Sequence, residues 1–332
     1  MFVIVAEFIL CAFFIVVSGV HLSRYGDVIA VKTGIGRTWM GVLVMAAVTS
    51  LPELVTGASS IVIFDVADIA AGDAIGSCMF NLLILAFLDV RDPAPLAARV
   101  HQGHVLSAAF GIVLLGLAVM AMLAGPAAPA VGWIGIHSLL FLTVYAFAMR
   151  TIFVFERARV SALVEQLAGD VEYKEFPLRR AVIRYVAAAA VLVTAAAYLP
   201  GVADRFAAAT GLGQSFVGSL FVAASTSMPE VVVSVAAARI GALDMAVGNL
   251  FGSNLFNMAV LGFDDVLYTR GSVLADVESI HLVSLTSAIV MTAIAIIGLT
   301  YRASRKRFRL SWDAFAIAAT YVLGVTLLRV LA

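Results

Sequence analysis

Residues Thr49-Ser50-Leu51-Pro52-Glu53 are written again, almost unchanged, as Thr226-Ser227-Met228-Pro229-Glu230. A second match follows each copy. Gly72-Asp73-Ala74-Ile75-Gly76-Ser77-Cys78-Met79-Phe80-Asn81 pairs with Gly248-Asn249-Leu250-Phe251-Gly252-Ser253-Asn254-Leu255-Phe256-Asn257. Glu53 precedes Asn81 by 28 residues and Glu230 precedes Asn257 by 27, so one single-residue indel separates the copies. The echo reaches Asp89 and Asp265, each eight residues beyond its asparagine. Both copies set a proline and a carboxylate inside an apolar run. The best-matched residues are polar, which packing of a duplicated helix pair does not explain.

The apolar runs place these motifs in a membrane. Of 332 residues 63% are hydrophobic and only 13% charged, with a mean hydropathy of +1.06; a soluble domain carries about 25% charge. Ten segments approach the ~20 residues that cross a bilayer: 2–20, 37–63, 68–89, 104–124, 131–154, 181–200, 212–239, 244–265, 279–300 and 311–330. Residues 2–20 lack a basic flank and a small-residue cleavage site, so they read as a retained span. The net charge of zero argues against a nucleic-acid partner. Two cysteines, Cys11 and Cys78, are too few for a disulfide framework. The expectation is an all-α integral membrane protein of ten transmembrane helices. Its units are an N-terminal five-helix repeat (1–154), a cytoplasmic linker (155–180) and a C-terminal five-helix repeat (181–332).

Charge sets the orientation. With the N-terminus outside, 18 of the 21 Lys and Arg fall in inner loops, leaving Arg205, Arg270 and Arg329 outside. Both termini then face out. Five spans per half is an odd number, so the two copies enter the bilayer with opposite polarity. This is an inverted-topology repeat, a plan that secondary transporters use around a midplane site.

The repeated residues suit a hard cation. A proline removes the N–H that would serve the carbonyl four residues earlier, here Val48 and Ser225. Freed carbonyls, hydroxyls and the Glu53 and Glu230 carboxylates make a set of hard oxygens that suits Na⁺ and Ca²⁺, with Mn²⁺ also open. Ser50 and Glu53 share a helix face, as do Ser77 and Asn81, and Ser253 and Asn257. A charge at mid-span costs about 2.5–3.5 kcal/mol even on the lenient insertion scale, and no apolar-span Lys or Arg is near to offset it. Two carboxylates balance one divalent ion. When that ion leaves, another cation or protons must replace it, which is the physical basis of antiport.

At these residues the chain resembles the calcium/cation antiporter superfamily, especially the sodium/calcium exchangers. The resemblance rests on two α-repeats, here 41–90 and 218–266. It implies Glu53 and Glu230 as central ligands, with Ser50, Ser227, Thr49, Thr226, Ser77, Ser253, Asn81 and Asn257 around them. It also implies that the carbonyls of Ala46 and Ala223 serve flanking Na⁺ sites, and that the first and sixth spans slide across the rest. The chain departs from the family pattern at Val48 and Ser225, where glycine is usual, and at Asp73 and Cys78, which face Asn249 and Asn254 in the other copy. Asp73 reads first as a helix cap, with a cavity partner or an extra acid as alternatives. Asp89 and Asp265 read as solvated caps.

The function expected is Na⁺/Ca²⁺ exchange by alternating access in the cell membrane, with Ca²⁺ and Na⁺ bound as transported ions and no cofactor. H⁺/Ca²⁺ antiport on the same fold is the alternative, and a cation channel a more distant one. An enzyme would need a nucleophile–base pair or a catalytic metal set. The five histidines fall mostly at loops or span ends, where His101 and His104 read as an interfacial patch.

Overall fold

The architecture comes from a computed structural model, which describes residues 1–33, 49–90, 94–168, 177–239, 241–306 and 309–331. The described helices, in order, are α1 (Phe2–Thr33), α2 (Leu51–Phe64), α3 (Ala67–Asp89), the short α4 (Leu96–Arg99), α5 (His104–Ala124) and α6 (Ile136–Ala168). They continue as α7 (Leu178–Thr210), α8 (Gln214–Thr226), α9 (Met228–Arg239), α10 (Leu243–Leu267), the short α11 (Val273–Asp276), α12 (His281–Tyr301) and α13 (Trp312–Leu331). A two-residue antiparallel pair, β1 (Ala130–Val131) and β2 (Ile134–Gly135), is the only sheet among the described residues.

Seven of these helices are long and apolar enough to cross a membrane, and the pair α8–α9, bent by 44° at Ser227, makes an eighth. This is an all-α, multi-pass membrane fold. Two of the ten expected spans, 37–63 and 244–265, are not among these. The first half of 37–63 lies outside the described residues, leaving the short α2. The 25-residue α10 is long enough, but Asn249, Asn254 and Asn257 interrupt its apolar run.

Spans 68–89, 104–124, 279–300 and 311–330 match their helices within two residues. Others run past the apolar stretch. α1 continues from the expected 20 to Thr33, because no glycine or proline interrupts 20–33 beyond Gly26. α6 continues to Ala168 through the charged, helix-favouring run after Phe155, so much of the expected linker is helical. It starts late because Pro129 and Gly132 (φ +67°) form the preceding hairpin. α7 passes through Pro200 and stops at Gly211, whose φ of +69° only glycine adopts without strain.

α3 is the central helix. Its apolar window is 83% buried, against 22% for α1 and α13 and 17% for α6, the three least buried spans. Two glycines on α3 bring α8 to backbone contact. A Cβ on Gly72 would meet Gly218 and Ser219 backbone atoms at 2.9–3.0 Å, and one on Gly76 would collide with the Ser219 carbonyl. That crossing carries the Thr226–Ser227 break of α8–α9 up against α3. α10 lies on the other side of α3, and the two share one hydrophobic core.

Candidate cation site

Both prolines sit at the start of a new helix, where their missing N–H costs little. Ser50, with φ −91° and ψ 11°, stands before α2, and Pro52 lies in that helix's first turn. Ser227, with φ −84° and ψ 5°, ends α8, and Pro229 follows in the first turn of α9. In each Thr-Ser-x-Pro-Glu motif the serine interrupts the helical backbone, and the glutamate is the acid of the first turn beyond that break. Carboxylates are favoured at that position.

The two breaks exchange hydrogen bonds. Ser50 Oγ donates to Glu230 Oε1 at 3.0 Å, and Ser227 Oγ donates to Glu53 Oε1 at the same 3.0 Å. The serines of α3 and α10 close each arrangement. Ser253 Oγ lies 3.2 Å from both Ser50 Oγ and Glu230 Oε1, and Ser77 Oγ lies 2.9 Å from Ser227 Oγ. Each glutamate is thus served by the serine of the other repeat. All eleven described members of the expected ligand set are at most 1% exposed. Ala46, the twelfth, lies outside the described residues.

Among the described residues the second oxygen of each glutamate has no partner. Glu53 Oε2 and Glu230 Oε2 are buried with no hydrogen bond to any of them, as are Asn81 Oδ1 and Asn257 Oδ1. Buried polar atoms are nearly always paired. Four unmatched oxygens on four helices, two of them from carboxylates, are what a cation would take up. Among the described residues no group of three or more His, Cys, Asp or Glu could hold a metal. The set here has two acids, and its other oxygens come from amides and hydroxyls. The Ala223 carbonyl is already engaged, accepting from Ser227 N at 3.0 Å and Thr226 Oγ1 at 3.2 Å.

The amide positions are unequal. Asn81 Nδ2 donates to Asn254 Oδ1 at 2.9 Å, and Asn254 Nδ2 donates to the Cys78 carbonyl at 3.2 Å. The residue that matches Asn254 in the first copy is Cys78, which has no amide, and among the described residues neither Nδ2 nor Oδ1 of Asn257 has a hydrogen-bond partner.

Several sequence expectations need correction. Asp73 is not a helix cap: it lies inside α3, 1% exposed, with Oδ1 accepting from Thr226 Oγ1 at 2.7 Å. Asp89 and Asp265 are not solvated. Asp89 accepts from the backbone N–H groups of Leu96 and Ser311, each at 2.7 Å, and pairs with Lys306 at 3.0 Å. Asp265 accepts from Val273 N at 2.7 Å, Gly135 N at 2.8 Å and Ser138 Oγ at 2.6 Å. Both aspartates pin loops that a hydropathy scan sees only as span ends. His104 is not on an interfacial patch but 4% exposed, with Nε2 3.0 Å from Asp244 Oδ1. Its counterpart His281 faces Asp68 at 3.1 Å. The sequence reading also passed over Asp264, although its spacing of seven from Asn257 puts both on one face of α10.

The family model described as "Sodium/calcium exchanger protein" matches residues 3–155 and 181–330, most of the chain. The sodium/calcium exchanger MaX1 of Methanosarcina acetivorans is 38% identical over 84 residues, 25% of this chain and 24% of that protein. The sodium–calcium exchanger NCX_Mj, solved after soaking in Na⁺ and Sr²⁺, superposes with a TM-score of 0.61 at 22% identity, covering 98% of this chain and 99% of that one. An H⁺/Ca²⁺ exchanger, CAX, gives a TM-score of 0.70 at 14% identity, with coverages of 99% and 86%. At these identities the two structures establish a shared fold.

Proposed function

Since this chain belongs to the sodium/calcium exchanger protein family, a family of transporters, we propose that it exchanges Ca²⁺ for Na⁺ by alternating access, binding both ions between the two broken helices. The observation that carries this reading is the pair of buried oxygens Glu53 Oε2 and Glu230 Oε2, which have no hydrogen-bond partner among the described residues, each on a carboxylate held by a serine of the other repeat. Two such charges repel at low dielectric unless a cation or protons lie between them. Ca²⁺ takes six to eight oxygens. The carboxylates with Asn81, Asn257 and the surrounding hydroxyls of Ser50, Ser77, Ser227, Ser253, Thr49 and Thr226 supply that kind of set. In the proposal Na⁺ competes for the same oxygens.

The proposed architecture is ten spans in two inverted five-helix halves, 1–154 and 181–332, joined by 155–180. Both termini lie outside a cell membrane. The proposed moving parts are α1 and α7. They pack mainly on each other; α1 also touches α8 and α9, and α7 touches α2 and α8. A Cβ on Gly19 of α1 would meet Pro229 Cγ at 2.5 Å, and Ala196 of α7 accepts a hydrogen bond from Thr56 of α2 at 3.4 Å. Contacts made through glycine and alanine permit sliding.

H⁺/Ca²⁺ exchange is kept as the second reading, because protons can neutralise the same carboxylates and the CAX fold matches along the whole chain. Proteoliposomes loaded with Na⁺, or carrying a pH gradient without Na⁺, separate the two. Ca²⁺ uptake that requires internal Na⁺ supports the first. Uptake driven by the pH gradient alone moves the chain to the second, and no uptake under either gradient rejects Ca²⁺ as the substrate.

A further inference from the structure

Asp264 is fully buried on α10, and neither Oδ1 nor Oδ2 has a hydrogen-bond partner among the described residues. It is four carboxyl-side positions from Val260 and seven from Asn257, so it continues the face of α10 that carries Ser253 and Asn257. Across from it stands Gly57 of α2, and a Cβ there would meet Asp264 Oδ1 at 2.7 Å. Gly57 is one helical turn beyond Glu53, which places the Asp264 carboxyl about 6 Å farther along α2 than the Glu53 backbone. Among the described residues, the charged groups acting on this carboxyl are acidic: Asp73 from α3 and Asp265 on its own helix.

The other half has no such acid. Asp264 precedes Asp265 as Leu88 precedes Asp89, and Leu88 is an ordinary core residue. The acid therefore breaks the symmetry of the repeats on one side of the central site, the side on which α3 begins. A bare carboxylate at such a place costs several kcal/mol. Packing does not require one, since leucine fills the equivalent position.

We infer that Asp264 is a second, one-sided binding site for a monovalent cation, H⁺ or Na⁺, lying beside the path between the central site and the membrane face at which α3 starts. The side presented to α2 is a glycine with no side-chain oxygen, so the six to eight ligands of Ca²⁺ are not assembled there. This inference goes beyond the antiport reading, because it concerns a carboxylate that the central site does not use.

Infrared spectroscopy of the whole protein in lipid nanodiscs, without Ca²⁺, tests it. Wild type, Asp264→Asn and Asp264→Leu are compared in Na⁺-free buffer and after adding Na⁺. If the ion is a proton, wild type shows a carboxylic-acid C=O band that both variants lack. If it is Na⁺, wild type shows a Na⁺-induced shift of a carboxylate band that both variants lack. Spectra that differ from wild type only by one ordinary carboxylate, insensitive to Na⁺, overturn the inference. Asp264→Leu guards against misfolding, since it repeats what the other half carries. The Ca²⁺-induced spectral change of Glu53→Gln is read separately, so a failure at the central site stays distinct from a failure here.

Discussion

Ser50 donates to Glu230, 180 residues away in the chain, at 3.0 Å. Its repeat mate Ser227 donates to Glu53 at the same distance, so each carboxylate is oriented by the opposite half of the molecule. Neither half can present a complete site alone. A movement that parts the two broken helices would release both carboxylates from their serines at once, which suits a site that must open and close as a unit.

A double-mutant cycle tests the crossed pairing. A hydrogen bond to a charged group contributes about 1.5–3 kcal/mol, so Ser50→Ala should weaken Ca²⁺ binding roughly tenfold or more. Combined with Glu230→Gln, the two losses should fall short of additive. Ser50→Ala with Glu53→Gln should be closer to additive. Equal coupling to both glutamates would argue against the pairing.

Gly19 tests the proposed movement. A side chain there collides with the Pro229 ring, so Gly19→Leu should hold α1 away from α9. Ca²⁺ uptake into proteoliposomes should fall at least tenfold while equilibrium Ca²⁺ binding stays within a few fold. A parallel loss of binding would place Gly19 in site assembly instead.

Stability should divide the buried acids into two kinds. Asp89 is fully partnered, and Asp89→Ala takes the carboxylate from the Lys306 ammonium and strands two backbone N–H groups. Breaking such a buried pair costs about 3–5 kcal/mol, read as a lower thermal unfolding midpoint in detergent. Glu53→Gln removes a carboxylate with one unpartnered oxygen. In buffer free of Na⁺ and Ca²⁺ it should raise the midpoint, a gain of stability at the expense of function.

The adhesion of α3 to α8 gives a fourth test. Gly76→Val drives a side chain into the Ser219 carbonyl, and backbone cannot yield as a flexible side chain does. This variant should fail to give a monodisperse peak on size-exclusion chromatography, whereas Gly116→Ala, which meets nothing within 4 Å, should behave as wild type.

Span positions and the glutamate pair were legible in the sequence because hydropathy and repetition are local signals. The helix ends at Thr33 and Ala168 were not, since hydropathy marks where the lipid stops and not where helical hydrogen bonding stops. The roles of Asp89, Asp265, His104 and Asp73 depend on partners such as Ser311, Gly135, Asp244 and Thr226, which lie more than 100 residues away in the chain. No local pattern encodes those pairings. Read alone, a polar residue at a span end looks solvated. The crossed serine–glutamate bonds were hidden for the same reason, although the matched spacing of Ser50–Glu53 and Ser227–Glu230 marked all four residues.

Equilibrium binding of radioactive Ca²⁺ to the purified protein, wild type against Glu53→Gln and Glu230→Gln, tests the central claim most directly. The account predicts saturable binding to wild type that Na⁺ displaces, and a loss of at least a hundredfold in affinity in either variant. Ca²⁺ binding that survives both substitutions unchanged would contradict it.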